Sequence, residues 1–129
     1  MKLIICFEDT GNVGPWKLFT SHRKGFGHVF VISYDVDNDI WFKFECASQR
    51  FVVDTYKGED ADYLVGYLIE NCICLDCEVE STMTYIPRWT YCVSIAKHFA
   101  GIRSPWILTP YQLYCELIKN GAKRIFERE

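Results

Sequence analysis

The chain predicts a single α+β domain spanning residues 1–129, a small antiparallel sheet packed against helices. Three observations carry this. The first half holds β-rich runs broken by turn residues, the second half holds segments with helix start and stop signals, and no repeat or low-complexity linker divides them. At 50% hydrophobic and 16% aromatic, 129 residues suffice to build one sizeable core.

The first element is a strand over Lys2–Phe7, followed by a loop containing Gly11, Gly14 and Pro15 and a polar segment from Ser21 to Gly25. A second strand, His28–Tyr34, is separated from a third, Ile40–Cys46, by the turn-forming run Asp35-Val36-Asp37-Asn38-Asp39. This is a hairpin. Both strands carry apolar residues at adjacent as well as alternate positions, so the sheet is expected to be covered on both faces. Phe51–Asp54 supplies another strand.

The segment Gly58–Glu70 opens with acidic residues and places Leu64, Tyr67 and Leu68 at helical spacing, which predicts a helix. A short strand is expected around residues 77–84. A second helix follows, with Thr90 as N-cap and Gly101 as its stop. The clearest helix is the last: Thr109 is an N-cap, Pro110 occupies the first helical position and Gly121 ends it. The charged tail from Ala122 is expected to fray.

Composition also excludes functions. A net charge of -3 and a pI near 5.6 argue against a broad basic surface for nucleic acid. The apolar start Met1–Phe7 is interrupted by Glu8 and Asp9 before it reaches signal-peptide length, and no apolar run approaches the roughly 18 residues of a membrane span. Seven cysteines is an odd number without the spacing of a secreted disulfide framework, so a reducing cytoplasm is the expected setting. Cys72, Cys74 and Cys77 cluster in sequence, but structural zinc wants four ligands and no fourth is visible, so no metal or other cofactor is expected.

Cys92 is the candidate nucleophile. It falls in the first turn of the helix beginning after Thr90, where unpaired backbone N–H groups and the positive end of the helix dipole favour a thiolate. Buried cysteine is also a common small hydrophobe, and Cys92 must be weighed against that role. Of three histidines, His98 lies six positions further along the same helix, about 240° round, and cannot partner Cys92. His22 sits in a polar loop and reads as a solvated surface residue. His28 begins a strand, where the backbone is rigid. A four-residue loop flanked by Tyr34 and Asp39 sets His28 directly opposite Glu45, with both side chains on one face. Glu45 then either orients a catalytic imidazole or forms a cross-strand polar pair that stabilises the sheet.

The order of these residues resembles that of the circularly permuted papain-like cysteine hydrolases, the NlpC-type superfamily that includes lecithin:retinol acyltransferase-like enzymes. The resemblance rests on Gly27-His28-Val29-Phe30-Val31, Phe44-Glu45-Cys46-Ala47, Thr90-Tyr91-Cys92-Val93-Ser94 and Leu108-Thr109-Pro110-Tyr111-Gln112-Leu113, and covers the chain from about Gly27 to Gly121. It implies a permuted papain-like fold, with Cys92 as nucleophile, His28 as base and Glu45 as the third polar group. It further implies a peptide, amide or acyl substrate and leaves hydrolysis and acyl transfer both open. Tyr91 and Trp89 are placed either to wall a substrate groove or to serve as core aromatics. The rival reading keeps the fold without the chemistry, as an interaction protein whose aromatic surface engages a protein partner.

Overall fold

The computed structural model describes residues 2–9, 25–47, 50–79 and 92–126. The elements are β1 (Lys2–Glu8), β2 (His28–Asp35), β3 (Ile40–Ala47), β4 (Arg50–Tyr56), α1 (Glu59–Asn71), β5 (Cys72–Glu78), α2 (Cys92–Ala100), α3 (Pro110–Lys119) and β6 (Lys123–Ile125). The six strands form one sheet in the order β4-β3-β2-β1-β5-β6, every neighbouring pair antiparallel. The α+β class is therefore as the sequence predicts. No helix among the described residues is long and apolar enough to cross a membrane.

Alternation along the central strands divides the apolar residues between two faces. Leu3, Ile5 and Phe7 of β1 join Val29 and Val31 of β2 and Leu75 and Cys77 of β5 beneath α2 and α3, which contribute Val93, Ala96, Leu113 and Leu117. Cys6, Phe30, Ile32 and Cys74 point the other way, against Leu64 and Leu68 of α1. Both faces are covered, which explains the apolar runs that do not alternate with polar residues.

The hairpin between β2 and β3 corrects the predicted register. The loop keeps four residues but is displaced by one, closing at Asp35 and Ile40, so that Tyr34 pairs with Trp41 rather than with Asp39. Asp35 decides this, because its carboxylate accepts from the backbone N–H of Asp37 at 3.1 Å and from the Asn38 side chain at 2.8 Å, an Asx-type closure. Asp39 takes the left-handed backbone conformation at the loop's end, φ 52°. One residue on each strand moves the pairing by two. His28 and Glu45 are thus diagonal rather than directly opposed, yet they still share a face, because a shift of two preserves strand parity.

Two further elements differ from expectation. The cysteine-rich run is itself a strand: β5 begins directly where α1 ends and pairs with β1 from Lys2↔Glu78 to Glu8↔Cys72. The expected strand over 77–84 thus lies earlier, and residues 80–84 fall outside the described segments. The pleat puts Cys74 in the α1-side cluster and Cys77 in the opposite one, so the three thiols of this run cannot converge on one ion. The tail does not simply fray, since Lys123–Ile125 pairs with the open edge of β5. That edge offers unpaired N–H and C=O groups to any nearby extended segment.

The helix signals fare as follows. Thr109 caps α3 by accepting from Gln112 N, and the Gln112 side chain returns to the Thr109 backbone, completing a capping box with Pro110 in the first turn. Gly101 and Gly121 adopt the positive φ expected of helix stops. The proposed N-cap Thr90, the neighbours Trp89 and Tyr91, and His22 lie outside the described residues.

Because Leu68 is fully buried between α1 and the sheet, Leu68→Ala leaves a cavity that its neighbours cannot close. Chemical denaturation should show a loss of about 2–5 kcal/mol.

Candidate active site

The site forms at the end of the sheet where β2 begins. Its position follows from how the chain enters that strand. Phe26 is buried against Phe7, Tyr111 and Tyr114, with ring centroids 5.0–5.6 Å apart. Gly27 N donates to Glu8 O at 2.9 Å, and Gly25 N donates to the Asp9 carboxylate. Gly25 is needed here. Its φ is +90°, and a Cβ would sit 3.1 Å from Ile73 Cδ1. These contacts deliver His28 to the sheet directly opposite Glu8 of β1.

His28 Nε2 lies 3.1 Å from Glu45 Oε2. The sulfur of Cys92, at the described start of α2, lies close enough to the same imidazole to act on it by hydrogen bonding and by charge. The structure therefore gathers all three residues singled out in the sequence. By parity His28 shares the face of Glu8 and Phe30, toward α1, while α2 packs on the other face, and His28 is the first residue of its strand.

Burial alone would lower the His28 pKa, but hydrogen bonding and charge from Cys92 and then Glu45 outweigh it and raise the group to about 9. Glu45 moves the other way. The hydrogen bond from His28 holds its carboxyl below the usual range against the opposing effect of burial, with help from Lys43 Nζ at 3.5 Å. Lys43 itself rests over the Phe30 ring, 4.6 Å from its centroid.

Three of the other thiols are held protonated. Burial pushes Cys6 well up, lifts Cys72 to about 12 with help from the Glu8 charge, and lifts Cys77 to about 11. Cys115 is exposed.

Sequence reading missed Glu8. Only 5% exposed, it accepts a hydrogen bond from the Tyr67 hydroxyl of α1, whose pKa rises mainly because of that bond. A ligand atom from each of Glu8, His28 and Glu45 lies within 4.8 Å of the others. The available signal was parity: Glu8 falls on the same strand face as Ile4 and Cys6, so it is a carboxylate at a core-facing position. Tyr67 and Lys43 could not be linked to the site before the helix and hairpin were docked.

Comparisons with protein-family models, with curated proteins and with solved structures returned no match.

The raised His28 pKa carries a stability consequence with a definite sign. A group whose folded pKa exceeds its unfolded value stabilises the fold fully below the unfolded value, and that contribution disappears as pH rises through the folded value. Denaturation midpoints should accordingly fall between about pH 6.5 and about pH 9, and His28→Ala should flatten that slope. An unchanged slope in the variant would show that His28 is not the group responsible.

Proposed function

We propose that the protein is a cysteine-dependent hydrolase or acyltransferase acting on a peptide, amide or (thio)ester bond, with Cys92 as nucleophile, His28 as base and acid, and Glu45 as the orienting carboxylate. The observation that carries this reading is a His28 imidazole with a carboxylate 3.1 Å from Nε2 and the Cys92 thiol near enough to raise the ring's pKa. With Nε2–H donated to Glu45, Nδ1 is the nitrogen left for the thiol.

In the first half-reaction the proton given up by the Cys92 thiol is already held on Nδ1 of the raised His28 ring, and Sγ attacks the carbonyl carbon. The backbone N–H of Cys92, at a helix start, helps to hold the oxyanion. As the tetrahedral species collapses, the imidazolium gives the proton to the departing amine, alcohol or thiol, leaving an acyl-cysteine. In the second half-reaction His28 deprotonates water, or another acceptor for acyl transfer. That oxygen attacks the acyl carbon, and the proton returns to the departing Sγ. No step uses a metal or an organic cofactor.

The resemblance of the His28, Glu45, Cys92 order to permuted papain-like hydrolases supports the same assignment and extends it to a permuted papain-like fold. Seven cysteines outside any disulfide suit a reducing cytoplasm, and the acidic balance suits a peptide or acyl substrate better than nucleic acid. One observation favours a second reading, a non-catalytic protein that binds a protein partner. Phe51 and Val53 of edge strand β4 are each 49% exposed, with Phe51 stacked on Phe44 and Phe99.

Limiting iodoacetamide at about pH 6 distinguishes the two. Mass spectrometry should find the label mainly on Cys92, ahead of exposed Cys115. His28→Ala should slow Cys92 labelling by about tenfold or more, and Glu45→Gln should slow it less. If Cys92 stays unlabelled with a smaller thiol reagent as well, or if His28→Ala changes nothing, the binding-protein reading replaces the catalytic one.

A further inference from the structure

A thiol nucleophile needs one imidazole and one orienting group, yet His28 has two carboxylates around it. Glu8, His28 and Glu45 come from three adjacent strands, β1, β2 and β3, whose ladders fix their backbones. One nitrogen and two oxygens, all within 4.8 Å of one another, make a mixed donor set. Imidazole with carboxylates suits zinc, manganese or cobalt better than a purely acidic cluster would.

The spacing fits as well. Zinc holds such donors at about 2.0–2.2 Å, which places neighbouring ligand atoms roughly 3.3 Å apart in a tetrahedral site. His28 Nε2 and Glu45 Oε2, at 3.1 Å, already stand near that separation. Bringing a Glu8 oxygen from within 4.8 Å to that separation takes a rotamer adjustment of up to about 1.5 Å.

Glu8 is an independent pointer to a cation. It is nearly fully buried, and among the described residues the hydrogen-bond donors that reach it, the Tyr67 hydroxyl and the more distant Cys72 thiol, are neutral. A buried carboxylate of this kind gains most from a neighbouring positive charge. The Tyr67 bond meanwhile orients it, as outer hydrogen bonds orient metal-binding carboxylates. Lys43, the ammonium now beside Glu45, has a flexible four-carbon stem that can swing toward solvent.

We propose that Glu8, His28 and Glu45 form a binding site for a zinc-class divalent cation, and that the bound ion shuts off Cys92 by occupying His28 Nε2 and the Glu45 carboxylate. The ion replaces the proton on Nε2, which leaves to solvent, and two carboxylates balance its charge. Starting from the imidazolium, the metal-bound ring keeps its Nδ1 proton, so it has no free lone pair to take a proton from Cys92 and is a far weaker acid than the imidazolium toward the leaving group. The inhibitory half of this proposal rests on the thiol reading above; the binding half does not.

Cobalt chloride titrated into the chelator-stripped protein reads the site directly. Binding should saturate at about one cobalt per chain, with visible d–d bands and without the intense thiolate-to-cobalt charge-transfer band. Glu8→Gln and Glu45→Gln should each weaken it by about tenfold or more, while Cys92→Ala and Cys72→Ser should retain it. In the unaltered protein, zinc chloride should shift the His28 ring resonances and slow iodoacetamide labelling of Cys92. Absent saturable binding, an unmoved His28 ring, or a thiolate band that survives Glu8→Gln would each overturn the site. If the carboxamide variants lose their fold, the His28 resonances decide. Cobalt binding alongside a Cys92 that is unreactive even without metal would sink the thiol reading and leave the cation site standing. Labelling that continues at the metal-free rate with zinc bound would remove the inhibitory role alone.

Discussion

The double pairing of β1 is the constraint on which the rest of the structure depends. This seven-residue strand is bonded to β2 on one side and to β5 on the other, so its backbone groups are satisfied deep within the protein. Its pleat sends Leu3, Ile5 and Phe7 toward α2 and α3, and Cys6 and Glu8 toward α1. The same ladder sets Glu8 level with His28 on one neighbour and with Cys72 on the other. A single strand therefore organises both cores and brings a buried carboxylate to the imidazole.

The helices meet this sheet for different reasons. Burial of Leu64 and Leu68 docks α1, and that docking carries Tyr67 to Glu8. Val93 and Ala96 dock α2 on the opposite side, and its described first residue, Cys92, comes to the ring of His28. Capping and aromatic packing hold α3 in place, with Tyr111 and Tyr114 enclosing Phe26 just ahead of β2. Apolar burial supplies most of the free energy here, at roughly 25 cal/mol per Å². The polar contacts then choose one arrangement among those that burial permits.

Electrostatics at the sheet end are finely balanced. Glu8 and Glu45 bring two carboxylates, while His28 and Lys43 offer two cationic groups. Partial burial weakens water's screening, so each group responds strongly to its neighbours. That is why His28 rises despite a burial effect that alone would lower it, and why Glu45 falls. Such opposed shifts mark an ion pair that keeps the proton on His28, and the same donors suit a cation.

Much of this was legible in the residues themselves. Local signals placed the strand-forming runs, the Thr109 cap with Pro110, and the glycine stops at Gly101 and Gly121, because each depends on a few neighbouring residues. Parity alone put His28 and Glu45 on one face, and it survived a hairpin register displaced by the Asp35 side chain. Other features had no local signature. The run Cys72–Glu78 became a strand because β1 needed a partner along its whole length, and Lys123–Ile125 became one because β5 had an open edge. Glu8, Tyr67 and Lys43 joined the site only once distant elements had docked. The chain by itself determined the α+β pattern and the face carried by each strand residue, since periodicity is a short-range property. Which residues surround His28 was decided by the tertiary structure, because those distances depend on strand order and helix packing between segments far apart in sequence.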